Sequence, residues 1–493
     1  MSSAQIPPPP NPQPQPFTSK FSLYKFWLLS LFILLLALSF NSPITTNLIK
    51  IQFLRTTLSI PKFISRLLKY HSIKPNPLSL PTNCVLWMAP FLSGGGYSSE
   101  AWSYITSIHD HNMKLKNPSF RLGIEQHGDL EAYEFWYGLS KQSKDLAIEM
   151  HDMKCRMNET IVVCHSEPGA WYPPLFETMP CPPNGYDEPL FVIGRTMFET
   201  DRVNEVHVER CNRMDSVWVP TDFHVNTFVE SGVNAEKVVK IVQPVDVSFF
   251  DPERYKPLDI ASVANIVLGT RGSLKGKGKE FVFLSIFKWE YRKGWDLLLK
   301  AYLKEFSKKD GVALYLLTNA YHSDSNFGSK IVDYVKHALL EKPVDGWAPV
   351  YVIDTHIKQV NLPRLYKAAD AFVLPSRGEG WGRPYVEAMA MSLPVIGTNW
   401  SGPTEYLTVE NSYPIPVDKT SEVTEGPFKN HNWAEPSYDK LRGLMRHVMS
   451  NPEEAKAKGV KAREDMIKKF SPEVVADIVV DHLMSIFNKS LKG

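Results

Sequence analysis

The sequence predicts an α/β protein with two doubly wound domains, and three observations carry that expectation. Short apolar runs alternate with helical patterns twice, from Asn83 to about Val242 and again from Phe281 onward. A parallel sheet with helices on both faces produces that alternation. Glycine clusters follow strand-like runs directly, with Gly94-Gly95-Gly96 behind CVLWMAP and Gly378, Gly380 and Gly382 behind Ala371 to Leu374. Loops that touch ligands sit in that position at the C-terminal edge of such a sheet. The 493 residues leave room for two or three domains, and no repeat is visible beyond this pair of halves.

The composition is that of a globular chain, and a net charge of +2 gives no sign of a nucleic-acid partner. The charge is uneven, however. No Asp or Glu precedes Glu100, whereas Lys20, Lys25, Lys50, Arg55, Lys62, Arg66, Lys69 and Lys74 all do. The five cysteines (Cys84, Cys155, Cys164, Cys181, Cys211) lack metal-ligand spacing, and an odd number cannot all pair internally. They read mostly as buried thiols, with a Cys155–Cys181 bridge as one option.

Residues 1–25 contain a proline-rich tail, QIPPPPNPQPQP, that cannot pack a core. Residues 26–43 begin with FWLLSLFILLLALSF and read as a transmembrane anchor, short against the roughly 20 residues of a typical span. A cleaved signal peptide ending near Ala37-Leu38-Ser39 and an organelle transit peptide are the alternatives. Residues 44–82 mix basic and apolar side chains and read as a stem able to lie on a membrane surface. These features set the expectation of a single-pass type II membrane protein of the Golgi, with the ER or an imported organelle as alternatives.

Residues 83–254 form the expected first domain. Its strands are read at CVLWMAP, 120–125, 161–165, 190–193, 216–219 and 238–242. Gly95 and Gly96 would let backbone approach a ligand, although a plain turn explains them equally well. His165 ends the strand IVVCH and opens SEPGAWYPP, where Trp171 and Tyr172 are candidates to stack on an acceptor or simply to pack the loop. Arg195 opens RTMFETDRV, a charged stretch after a strand that either faces the cleft or forms ion pairs.

Residues 255–471 form the expected second domain, and 472–493 a helix crossing back to the first. The glycine-lysine loop GSLKGKGK reads as a solvated insert. The strand FVFLSIF leads into KWEYRKGWDLLL, which places Lys288, Arg292 and Lys293 behind a strand end. The decisive stretch is LPSRGEGWGRPYVE, Leu374 to Glu387. Its glycines permit a sharp turn, and Pro384 suits the first turn of a helix. Free N–H groups at that helix start favour a phosphate, while Glu379 and Glu387 are strong acceptors for hydroxyls beside it. The combination suggests a pocket for a nucleotide-linked sugar.

The GEGxGxPxxE pattern, followed by EAMAMSLPVIGTNWSGPTEYL, resembles the donor signature of retaining GT-B glycosyltransferases of the Glu-x7-Glu type. The likeness runs from about Phe281 to Leu407 and more weakly back to Cys84. It implies two Rossmann-like domains facing a cleft, with the nucleotide-sugar donor as co-substrate and a glycan, lipid or other hydroxyl compound as acceptor. It also implies retention of anomeric configuration. On the matching positions it assigns Glu387 to the ribose and Glu379 to the sugar hydroxyls. Lys288, Arg292, Lys293 and the backbone around Gly380, Trp381 and Gly382 fall to the diphosphate. Thr355 and His356 would lie by the base, Glu405 by the nucleotide, and His165 near the transferred sugar. Family members carry an Arg where Lys288 stands, and Lys lacks the planar fork that grips phosphate in two places. The absence of an Asp-x-Asp behind a strand leads to the expectation of no metal and no cofactor. A nucleotide-sugar epimerase and a catalytically silent sugar-binding scaffold remain as alternative readings.

Overall fold

A computed structural model describes residues 81–115, 118–270, 280–319, 326–426 and 428–490. The proline-rich tail, the run at 26–43, residues 44–80 of the stem and the glycine-lysine loop lie outside the described residues. Among the described residues, no helix is long and apolar enough to cross a membrane. That finding overturns the expectation of a single-pass type II Golgi protein.

The first domain comprises β1 (Cys84–Ala89), α1 (Gly96–Lys114), β2 (Arg121–Gln126), α2 (Tyr133–Gly138), α3 (Lys141–His151), β3 (Thr160–His165), β4 (Phe191–Arg195), α4 (Glu205–Arg213), β5 (Ser216–Val219), α5 (Asp222–Glu230) and β6 (Val238–Lys240). The second domain opens with β7 (Asn265–Leu268), β8 (Phe281–Lys288), α6 (Trp295–Glu305), β9 (Val312–Asn319), α7 (Phe327–His337), β10 (Val350–Ile353) and α8 (Leu362–Lys367). It continues with β11 (Ala371–Leu374), α9 (Arg383–Ala390), β12 (Val395–Thr398), β13 (Tyr413–Ile415), the hairpin β14 (Val417–Glu422) and β15 (Asn432–Pro436), α10 (Tyr438–Ser450) and α11 (Pro452–Phe470). Helix α12 (Pro472–Ser490) closes the described chain.

The first sheet has the parallel order β2-β1-β3-β4-β5-β6, so its strand order reverses between β1 and β3. The second sheet runs β13-β12-β11-β8-β9-β10-β7 and reverses between β8 and β11. Read from β8, its parallel strands follow the dinucleotide-binding order, and β7 adds an antiparallel edge against β10. At each reversal neighbouring loops leave in opposite directions and open a crevice at the strands' C-terminal ends, which is where ligands bind in such sheets.

The central strands are covered on both faces, as their unbroken apolar runs require. Along β1, Val85, Trp87 and Ala89 enter one core while Leu86 and Met88 enter the core on the other face. Strands β7, β13, β14 and β15 were not read from sequence. β7 is a partly exposed edge strand and β14, VDKTSE, has no apolar face, so neither carries the expected pattern. The cysteine expectation is also corrected. Cys84 joins Cys155, and Cys164 joins Cys181, leaving Cys211 as a buried thiol. β3 delivers Cys164 to the loop at Cys181, whose carbonyl accepts from the Tyr172 N–H at 2.8 Å.

Helix α12 returns to the first domain, where Val475, Val479, Leu483 and Phe487 share a core with Val85 and Ile105. Leu483 is fully buried there, so Leu483→Ala should destabilise the protein by about 2–5 kcal/mol. A urea titration followed by intrinsic fluorescence would measure the loss.

Candidate functional site

The loop after β8 and the loop after β11 meet at the reversal point of the second sheet. Gly294 has φ +67°, and a Cβ there would run into the Pro375 carbonyl, so only glycine allows this approach. The Arg377 N–H donates to the Arg292 carbonyl at 2.7 Å and stitches the loops together. The pairing sets cations beside Glu379. Lys293 Nζ lies 2.8 Å from both carboxylate oxygens. Arg292 donates to the Gly378 carbonyl at 2.6 Å, lies 3.5 Å from Glu379 Oε2, and reaches Glu290 at 3.1 Å. Glu379 is held from behind as well: its N–H donates to Ser401 Oγ at 2.9 Å, and its carbonyl accepts from the Gly402 N–H at 2.9 Å. Burial pushes the Glu379 carboxyl up, but Lys293 and Arg292 outweigh it and hold the group below the ordinary glutamate value.

Helix α9 starts at Gly382, whose φ of +90° and closeness to Tyr385 (2.6 Å from an added Cβ) both demand glycine. Glu387 sits one turn in, accepting from Tyr366 Oη at 2.9 Å, with Arg383 Nε 3.7 Å away. Burial dominates here and raises the Glu387 carboxyl, with Arg383 only partly opposing it. The surroundings therefore shift the two carboxyls in opposite directions. Arg383 also holds an enclosed Nη1 that lacks a hydrogen-bond partner among the described residues. Its guanidinium, at the helix start, can receive an anion. Trp381 turns inward, 2% exposed, against Tyr406 and Phe470, so it shapes the loop instead of meeting a ligand through its ring.

The first domain supplies the facing wall. A Cβ on Gly378 would collide with the Glu199 carbonyl, and one on Gly380 would lie 2.5 Å from Met197 Cγ. Glu199 Oε1 is 3.6 Å from Arg292. Glu405 joins the same interface: it pairs with Lys240 at 2.9 Å and accepts from the Asp222 N–H at 3.2 Å. The β14–β15 hairpin clasps the domains, because Asn432 exchanges three hydrogen bonds of 2.7–3.0 Å with Asp201, and His431 lies 2.8 Å from Thr200 Oγ1. Arg377 anchors that hairpin. Buried to 2% exposure, it grips Asp296 at 2.8 and 2.9 Å and Glu435 at 3.1 Å, and stacks 3.8 Å over the Tyr291 ring.

Other residues singled out in the sequence fall in varied places. Lys288 is exposed at the end of β8. Thr355 and His356 are exposed in the loop after β10, on the same C-terminal edge. Gly95 precedes α1 and its N–H donates to Ser93 Oγ at 3.2 Å, while Gly96 is exposed as the first residue of that helix. His165 is fully enclosed. Trp87 donates to its Nδ1 at 3.0 Å, and its Nε2 lies 3.1 Å from Glu100 Oε2. Burial lowers its pKa, with Glu100 opposing the shift.

The acceptor candidates need correcting. Arg195 does not face the cleft; as the last residue of β4 it points into the layer beneath α1, donating to Glu100 at 2.8 and 2.6 Å and to the Ile241 carbonyl at 2.7 Å. Trp171 is buried against Gly194, where even a methyl group would collide with its ring. Tyr172 alone of the three is partly open, at 37% exposure. In RTMFETDRV the cleft-facing residues are Met197 and Glu199, which lie in the irregular stretch that follows the end of β4 at Arg195. Arg377 and Arg383 stood inside the glycine motif, yet no spacing rule distinguished a structural arginine from a ligand-facing one.

Against this geometry, residues 278–425 match the family model described as glycosyl transferases group 1. The chain is similar to mannosylfructose-phosphate synthase of Agrobacterium fabrum, 25% identical over 191 residues, which are 38% of either protein. The alignment thus spans well under half of that relative. In fold it is similar to sucrose-phosphate synthase of Thermosynechococcus elongatus (TM-score 0.55, 14% identity, 83% of this chain and 100% of the other). It is likewise similar to Anabaena HepE in complex with UDP and glucose (TM-score 0.53, 13% identity, 82% and 100%). The fold is GT-B, and its second domain carries a glycosyl transferases group 1 domain.

Two outcomes follow from the buried ion pairs. Arg195→Ala strands Glu100 in the core and should cost about 3–5 kcal/mol of stability, read as a lowered Tm. Glu379 has a depressed pKa, so its contribution to stability is fully present above the ordinary value of 4.5 and disappears as pH falls through the folded value. The Tm gap between wild type and Glu379→Gln should accordingly narrow below pH 4.5.

Proposed function

We propose that this protein is a retaining glycosyltransferase that moves a sugar from a nucleotide-sugar donor to an acceptor hydroxyl without a metal ion. The observation that carries the reading is Glu379 clamped by Lys293 and Arg292 at the reversal of the second sheet. The group 1 family match over the same loops supports it, as does the presence of UDP and glucose in a protein of like fold.

In this reading Glu379 accepts hydrogen bonds from the sugar hydroxyls and Glu387 from the ribose. Lys293, Lys288, Arg292 and the N–H groups at Gly380 to Gly382 take up the diphosphate. Fixed cations aimed at the leaving oxygen lower the barrier because charge builds there as the bond breaks. The sugar's C1–O bond to phosphate breaks while a new C1–O bond to the acceptor forms on the same face. The departing phosphate oxygen takes the acceptor's proton. His165, enclosed here, would act through Glu100 and the loop it supports and make no direct contact with the sugar.

Nucleotide release from a panel of UDP- and GDP-sugars, with and without acceptor, tests the proposal. Turnover should need an acceptor and yield a glycoside of unchanged anomeric configuration. It should persist in excess chelator. Glu379→Ala and Lys293→Ala should each lower kcat by about 10²–10³, the usual effect of removing one charge-stabilising group. Full activity in both variants, or turnover restored only by added divalent metal, would refute it.

A further inference from the structure

Around Arg292 the charges do not balance. Lys293 and Arg292 are two cations, whereas Glu379, Glu290 and Glu199 are three carboxylates within 3.6 Å of one or both. A diphosphate entering this cluster adds further negative charge in a largely enclosed space, where like-charge repulsion is poorly screened. One carboxylate must give way, and the geometry distinguishes among them. Glu379 is bound through both oxygens to Lys293, and its main chain is tied to Ser401 and Gly402. Glu290 lies two residues from Arg292 on the same turn and accepts a hydrogen bond from Arg292 Nη2 at 3.1 Å. Both belong to the domain that carries Arg292, and both stay beside it whatever the cleft does. Glu199 is different. It stands on the first domain, its contact is the longest at 3.6 Å, and its side chain keeps 24% exposure toward the cleft.

We infer that Glu199 is an exchangeable counter-ion: its carboxylate occupies Arg292 while the site is empty, yields to the diphosphate of an incoming nucleotide, and returns to help expel the spent nucleotide. The main chain need not move for this. The Glu199 carbonyl remains packed on Gly378 while the side chain swings aside. The exchange carries one negative charge out as the diphosphate comes in, so the two cations never face a larger excess of anions than they must. The same competition keeps the product from being held too tightly, a useful property where nucleotide release limits turnover. This role rests on the donor-site reading above and adds to it a residue that the glycine motif does not contain.

The test is calorimetric binding of UDP and GDP to the full-length chain. Glu199→Gln should bind whichever diphosphate the wild type binds about 3–10-fold more tightly, a range set by the modest strength of a partly exposed ion pair. Product inhibition should deepen in parallel. Glu199→Asp, which keeps the charge and shortens its reach, should fall between the two, and unchanged melting temperatures would exclude misfolding. In an Arg292→Gln background the same Glu199→Gln change should alter affinity by less than about twofold, because the coupled partner is gone. A purely structural role for Glu199 would weaken binding instead. Binding by the wild type with no gain in Glu199→Gln, or a gain that persists without Arg292, overturns this inference alone. No binding of either diphosphate by the wild type overturns the donor reading together with it.

Discussion

Everything at the cleft depends on two loops touching across the reversal of the second sheet. Strand order alone brings the ends of β8 and β11 side by side, and Gly294 then lets one loop lie directly on Pro375 of the other. Without that contact Lys293 and Glu379, 86 residues apart in sequence, would not meet. A parallel sheet makes such a meeting general, since its loops gather at one edge. The particular chemistry comes from which residues those loops hold. Here they hold a buried carboxylate whose charge is secured by its neighbours, at the mouth of a helix.

The alternation of apolar runs and helical patterns was sufficient to read the first sheet and the inner strands of the second, because fully buried strands such as AFVL and CVLWMA leave little ambiguity. The glycine loop was legible for a related reason. Gly378, Gly380 and Gly382 each sit where a side chain would strike another part of the protein, so the spacing of glycines records real contacts. Less was legible in the first domain. A charged residue after a strand looks the same whether it faces solvent, a cleft or a core, and Arg195 turned out to face the core, its charge met by Glu100. Trp171 likewise looks like a stacking platform until Gly194 is seen beneath it. Long-range pairings such as Arg377 with Asp296 and Glu435, or Asp201 with Asn432, leave no periodic trace at all.

The hairpin β14–β15 ties these levels together. It packs on the glycine loop through Glu435 and Arg377, and it reaches the opposite domain through His431 and Asn432. A side chain at the glycine loop and a main chain in the facing domain are thus linked by one short ribbon. The ribbon thereby holds the glycine loop and the facing domain to a common support.

The Cys164–Cys181 bridge joins two positions 17 apart in sequence and closes the segment between them on the rim of the first domain. Trp171 locks its near side into the sheet, while Leu175, Phe176 and Met179 remain more than two-fifths exposed. The foundation of this segment is consequently insulated from its crest. Mutations accumulating at the crest would reshape what the rim presents to the surroundings while leaving the strand below undisturbed, and that makes it a natural place for relatives of this protein to diverge.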